Sequence, residues 1–132
     1  MNLGFKGDRI MRFTQVNYDG TDMKMIVEEP IGSGHPSIHP NLRTLVTDTY
    51  VFEPLAFGDG TTPIRMVDLE TGEETTLCRM HTETPAQNGV NRALRLDPHP
   101  AWTKDFNYLV FNGFDGGTRK VYIADMREIV NS

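Results

Sequence analysis

The sequence predicts an all-β fold built from consecutive antiparallel strands. Helical periodicity is nearly absent along the 132 residues, whereas eight prolines and twelve glycines separate short runs of apolar or alternating residues. Alternation is typical of strands with one buried face, and glycine and proline mark the turns between strands. A pattern also recurs, because His35-Pro36 is matched by His99-Pro100, 64 residues later. Together these observations indicate repeated β-sheets.

The predicted strands follow one another in chain order. A first hairpin has strands at 10–16 and 23–28, joined by Asn17-Tyr18-Asp19-Gly20, whose Asp-Gly pair favours a tight turn with positive φ. A meander of four strands comes next, and a group of three follows the loop 81–94. The strands of these two groups are predicted at 37–38, 43–50, 64–69 and 75–80, and at 100–103, 108–113 and 119–125.

The two later groups are copies of one pattern. Residues 35–46 align with residues 99–110 without a gap, which gives a period of roughly 60 residues, or one four-stranded unit with insertions. One such sheet cannot bury both of its faces alone, so we expect the units to pack on one another, and a β-propeller is the leading arrangement. Within 1–132 we predict half a blade at 8–30, a full blade at 34–81 and three strands of a further blade at 96–127.

These units amount to about two and a quarter blades, whereas propellers have at least about four. Three explanations are open. The chain is a fragment of a longer propeller, or copies of it assemble into a ring, or its strands close as a small sandwich. The chain also begins almost inside a strand, which favours the first explanation. An isolated monomer is expected to expose apolar blade faces.

Composition excludes several classes of function. The net charge is −5 and no arginine or lysine run is present, so nucleic acid is not an expected partner. The single Cys78 cannot form an internal disulfide, and its alternating apolar surroundings favour a buried structural thiol. No signal-peptide pattern and no membrane-spanning apolar run is present. We therefore expect a cytoplasmic chain that does not enter a membrane.

The candidate metal ligands are His35, His99 and Asp97. Both histidines directly precede the first strand of a unit, on the rim where propeller loops converge, so they are expected to face one shared space. Asp97 lies two residues before His99 and would project on the same side of an extended segment. Two imidazoles and a carboxylate suit Mn, Fe or Zn. The alternative is that each His-Pro is a turn device whose ring bonds a carbonyl of the neighbouring blade.

The loop before Asp97 supplies candidate substrate-binding residues. Arg92 and Arg95 could hold a substrate carboxylate in a bidentate manner, and Gln87 is a candidate oxygen donor. Arg95 is equally compatible with a structural ion pair to Asp97. Asp48 aligns with Asn112, and this pair of polar residues is expected to bond between blades. The excursion 53–63 is expected either to cover a groove over the rim or to contact a neighbouring segment.

Three segments carry a family resemblance: Gly-His-Pro-Ser-Ile-His-Pro-Asn at 34–41, Val-Thr-Asp-Thr-Tyr at 46–50 and Arg-Leu-Asp-Pro-His-Pro-Ala-Trp at 95–102. Together they resemble the C-terminal blades of oligogalacturonate lyases, which have a TolB-like propeller. The resemblance covers roughly residues 8–127. It implies β-elimination on short uronate oligosaccharides in pectin breakdown, with manganese held by histidines and a glutamine. It also implies that His35 and His99 are metal ligands.

The chain departs from the family pattern at two ligand positions. Asp97 stands where the family has the first histidine of a His-Pro-His motif, and Leu94 stands where the glutamine ligand is expected. The family's catalytic base and a substrate-binding arginine lie on earlier blades, so this chain alone is not expected to complete the reaction. The alternative function is that of a non-catalytic propeller module that binds a protein or a glycan.

Overall fold

The chain forms three antiparallel β-sheets that follow one another along the sequence. The computed structural model describes residues 1–7, 10–82 and 96–132. The strand orders are β1-β2-β3, β4-β5-β6-β7 and β10-β9-β8, so that every neighbour in a sheet is also a neighbour in sequence. This arrangement agrees with the predicted succession of meanders.

The first sheet contains β1 (Asn2–Gly4), β2 (Met11–Gln15) and β3 (Lys24–Gly32). The predicted hairpin is β2 and β3, and its turn closes with the N–H of Gly20 donating to the carbonyl of Asn17 at 2.9 Å. Gly20 has a φ of 86°, a conformation in which a side chain is unfavourable. Strand β1 extends the predicted half blade, since it pairs with β2 along all three of its residues.

The second sheet is a complete four-stranded meander. Its strands are β4 (Ser37–Ile38), β5 (Thr44–Thr47), β6 (Thr61–Asp68) and β7 (Glu74–His81). Strand β6 begins three residues earlier than predicted, because Thr61 and Pro63 pair with β7. The excursion that precedes β6 contacts β7, where the guanidinium of Arg79 lies 4.1 Å from the centroid of the Phe57 ring.

The third sheet contains β8 (Ala101–Trp102), β9 (Tyr108–Asp115) and β10 (Thr118–Asp125). Strands β9 and β10 pair over their full length, from Tyr108 with Asp125 to Asp115 with Thr118. A short helix, α1 (Arg127–Val130), follows β10. No helix in residues 1–7, 10–82 and 96–132 combines the length and the apolarity that crossing a bilayer requires.

Two apolar clusters join the sheets in sequence. Because successive side chains of a strand point to opposite faces, adjacent residues of β5 reach different clusters. Leu45 packs with Phe13 of β2, whereas Val46 packs with Leu109 and Phe111 of β9. The central strands of the second sheet, β5 and β6, are therefore buried on both faces. Face-to-face stacking of this kind is how propeller blades cover one another.

Polar contacts accompany the apolar core. The indole nitrogen of Trp102 donates to the carbonyl of Ser37 at 3.2 Å, which links the third sheet to the second. Arg65 is 1% exposed and its Nη1 lies 2.9 Å from a carboxylate oxygen of Glu74. Cys78 packs against the cluster of Val46 and Leu109, and burial raises the pKa of its thiol. Cys78 is half-buried, whereas the sequence predicted a buried thiol.

Candidate functional site

The two repeated histidines lie against each other. His35 is two residues before β4 and His99 is two residues before β8, so equivalent loops of adjacent sheets bring them together. Their imidazole centroids are 3.8 Å apart and their planes differ by 14°. The gap-free alignment of residues 35–46 with 99–110 is therefore also a spatial correspondence. We call these two residues the histidine pair.

Asp48, directly after β5, binds both members of the histidine pair. Its Oδ1 accepts the backbone N–H of His35 at 2.6 Å, and its Oδ2 accepts the backbone N–H of His99 at 2.8 Å. Both oxygens also lie 3.1 Å from Nδ1 of His35. One carboxylate thus connects two loops that belong to different sheets. This agrees with the expectation that the residue aligned with Asn112 bonds between blades.

The electrostatics of Asp48 follow from these bonds. Its side chain is fully buried. Burial alone would raise the pKa of Asp48, but the hydrogen bond from His35 and the backbone N–H of His99 outweigh it, so the pKa lies below the ordinary value. Asp48 is therefore ionised at neutral pH. An ionised carboxylate only accepts hydrogen bonds, which matches its donor-lined surroundings.

The backbone around the site is shaped by Asp48. Gly34 has a φ of 63°, and a Cβ atom at this position would overlap the side chain and carbonyl of Asp48. His99 has a φ of 50°, although a residue before proline is expected in extended conformation. The left-handed conformation allows the N–H of His99 to reach Asp48. Strain of this kind costs on the order of 1–3 kcal/mol and is concentrated at functional sites.

Aromatic side chains continue from the histidine pair through Tyr50 to Phe52. The ring of Tyr50 meets His35 edge-on, with centroids 5.4 Å apart. Phe52 lies parallel to Tyr50 with centroids 5.6 Å apart, and it is 61% exposed. The sequence prediction missed both residues. The signal was available, because Tyr50 ends the same Val-Thr-Asp-Thr-Tyr segment that contains Asp48.

Asp97, the third predicted ligand, is half-buried between the buried residues Leu96 and Pro98. Among the described residues, no three His, Cys, Asp or Glu side chains are grouped closely enough to hold a metal ion. The structure thus brings His35 and His99 together, with Asp48 as their common partner. Gln87, Arg92 and Arg95, and also Leu94, lie outside the described residues.

The two remaining histidines, His39 and His81, contact aromatic side chains outside the histidine pair. His39 is half-buried: its Nε2 lies 3.2 Å from the carbonyl of Phe106 and its ring meets Trp102 edge-on at 4.9 Å. The turn between β8 and β9 thus folds onto His39. His81 is exposed and its ring meets Phe114 edge-on.

Comparison with known proteins identifies the fold. A solved structure described as TolB from Acinetobacter baumannii superimposes on 89% of this chain with a TM-score of 0.57 and 15% sequence identity. The chain has the fold of part of a TolB-like β-propeller. It spans 25% of the TolB chain it matches. No protein-family model matches the sequence, and no curated protein matches it.

At this identity the likeness to TolB concerns the fold alone. The three antiparallel sheets are consistent with a fragment of such a propeller. The histidine pair belongs to the loops that lead into β4 and β8.

Proposed function

We propose that this chain is part of an oligogalacturonate lyase-related propeller that acts on short uronate oligosaccharides by metal-assisted β-elimination. The observation that carries the proposal is the meeting of His35 and His99, two residues from adjacent sheets whose imidazoles lie side by side. The histidine pair, which we place at the mouth of the propeller channel as part of this proposal, offers nitrogen ligands for a divalent cation, and the family resemblance of the same segments supplies the reaction.

Nitrogen and carboxylate donors of this kind bind divalent cations. Nδ1 of His35 faces Asp48, so Nε2 is proposed as the ligating nitrogen of His35, and His99 and Asp97 are proposed as the other donors. Because these side chains are not grouped closely enough in the described structure to hold a metal ion, the site has to form by rearrangement. Manganese is the metal that the family resemblance implies. When bound to the substrate carboxylate, such a cation would acidify the adjacent C5 proton as a Lewis acid.

The orientation of the two rings sets a requirement for that site. A nitrogen lone pair lies in the plane of its ring, so two nearly parallel rings 3.8 Å apart do not both point at one cation. One imidazole therefore has to turn. His35 is held by Asp48, whereas His99 is exposed, so His99 is the ring expected to move.

The rest of the reaction needs further groups. The base expected from the family lies on blades that this chain does not contain, so the chain alone is proposed to be inactive. Arg92, Arg95 and Gln87 are proposed to bind the acidic substrate, with the arginines pairing with its carboxylates. The channel is proposed to be completed by further blades or by self-association.

The proposal is tested by titrating the metal-free chain with Mn²⁺ and following the bound ion by electron paramagnetic resonance. His35→Ala and His99→Ala are each expected to weaken binding by at least about tenfold. His81→Ala removes an exposed imidazole away from the pair and is the matched control. Equal Mn²⁺ binding by all four proteins would reject the metal site.

A second candidate function is a non-catalytic module that binds a glycan or a protein. The exposed ring of Phe52, stacked on Tyr50 beside the histidine pair, favours it, because exposed aromatic rings are typical of binding surfaces. Calorimetric titration with a short oligogalacturonate in the presence of EDTA separates the two functions. Binding that persists without metal and is lost in Phe52→Ala supports the module.

A further inference from the structure

The histidine pair depends on a single carboxylate. Asp48 uses each of its oxygens for a different backbone N–H, from His35 and from His99, and both oxygens also face Nδ1 of His35. These donors belong to loops 64 residues apart in the sequence. We infer that Asp48 is the positioning residue of the site: it joins the two loops and fixes the tautomer of His35 with the hydrogen on Nδ1.

The tautomer follows from the chemistry of the partners. A carboxylate has only acceptor atoms, so a ring nitrogen 3.1 Å from both of its oxygens must carry the hydrogen. In the neutral imidazole of His35, the unprotonated nitrogen is then Nε2. Carboxylates that orient metal-binding histidines act through the same kind of bond. In this last step, from tautomer to metal, the inference rests on the proposed function.

Only a carboxylate satisfies all three donors. An asparagine at position 48 has one acceptor oxygen and one NH₂ group, and the NH₂ group would face the N–H of either His35 or His99. Where the NH₂ group faces Nδ1 of His35, it donates a hydrogen bond to that nitrogen. The imidazole hydrogen then lies on Nε2. A glutamate is one methylene longer and has no space, because Asp48 is fully buried.

The test compares the metal-free wild type with Asp48→Asn by ¹⁵N NMR of the histidine side chains at about pH 8.5, where an ordinary imidazole is neutral. We expect His35 to carry its hydrogen on Nδ1 in the wild type and to shift towards Nε2 in the variant. We also expect Mn²⁺ affinity to fall 10- to 100-fold, as it does when such carboxylates are removed.

The chain offers a matched control. Asp105 is exposed in the turn between β8 and β9, and the repeat has Asn41 at the equivalent position. Asp105→Asn therefore makes the same chemical change where asparagine is tolerated, and it should leave the His35 tautomer and Mn²⁺ affinity unchanged. A wild-type His35 with its hydrogen on Nε2, or an unaltered tautomer in Asp48→Asn, would overturn the inference.

The wild type alone still tests the inference if Asp48→Asn does not fold. In that case two measurements on the wild type test the inference. ¹⁵N NMR should place the hydrogen of His35 on Nδ1, and the amides of His35 and His99 should exchange slowly with solvent. The two proposals also fail in different ways. If no protein binds Mn²⁺ while the tautomer changes as expected, the metal site is wrong and the positioning role of Asp48 stands.

Discussion

The imidazole of His35 lies parallel to that of His99, with centroids 3.8 Å apart. Each ring therefore sits in the shielding region above the other. We expect the ring protons of both residues to resonate upfield of ordinary histidine values. His99→Ala should move the His35 protons downfield, and His35→Ala should do the same for His99, whereas His81→Ala should leave both unchanged. Unshifted spectra in the first two variants would show that the rings are not stacked.

Gly34→Ala is expected to destabilise the chain. The φ of 63° costs an alanine about 1–2 kcal/mol, and the overlap of its Cβ with Asp48 adds about 1–3 kcal/mol. Gly116→Ala is the control, since Gly116 has a similar φ of 57° with open space around its Cβ position. Urea unfolding of both variants checks the difference, and an equal loss of stability would contradict a clash with Asp48.

Removal of the carboxylate of Glu74 should also be costly. Arg65 is 1% exposed, and in the described part of the chain its Nε and Nη2 atoms have no hydrogen-bond partner, so Glu74 is its main stabilising contact. Because Glu74→Ala leaves a buried cation without its anion, we expect the free energy of unfolding to fall by about 2–4 kcal/mol. Measurement is by urea denaturation.

The control for that prediction is Glu70→Ala. Glu70 pairs with Arg43 at 3.5 Å, but both side chains are more than half exposed, and exposed pairs contribute little to stability. The urea midpoint of Glu70→Ala should stay close to that of the wild type. Equal midpoints for the two variants would mean that the burial of Arg65 is unimportant.

Asp125 and Arg127 provide a prediction on pH. Hydrogen bonds from the side chain and backbone of Arg127 lower the pKa of Asp125 from 3.8 to about 2. Since the folded-state pKa lies below the unfolded value, this contact stabilises the fold above about pH 4 and its contribution is lost as the pH falls towards 2. In Arg127→Gln the carboxyl should titrate nearer 3.8, as measured by ¹³C NMR. An unchanged titration midpoint would exclude Arg127 as the cause.

Much of the fold was predictable because alternation and turn residues are local signals. Each of the strands β2 to β10 overlaps a predicted segment, although β3 extends four residues beyond its predicted end and β6 begins three residues early. The repeat located His35 and His99 at equivalent places. Strand β1 and helix α1 escaped prediction, because periodicity is not measurable over three or four residues. The two-residue strands β4 and β8 are shorter still, but they belong to the repeated pattern, which includes neither β1 nor α1.

The histidine pair was predictable only in part. The repeat indicated that His35 and His99 share a place, but nothing local shows that Asp48 binds both of their backbone N–H groups. The left-handed conformation of His99 was also not predictable, because the proline at position 100 favours an extended conformation for the residue before it. Both features depend on contacts between sheets, which a linear pattern does not contain.

Strand β10 carries Val121 and Ile123 on one face, 67% and 69% exposed, and of the described strands it pairs only with β9. Such a strand exposes both unpaired backbone groups and apolar side chains to water. In the laboratory this means that concentrated solutions of the chain should become turbid on storage. Replacing Val121 with lysine and Ile123 with threonine should keep them clear and leave the histidine pair intact, because β9 separates β10 from β8, the strand that His99 precedes.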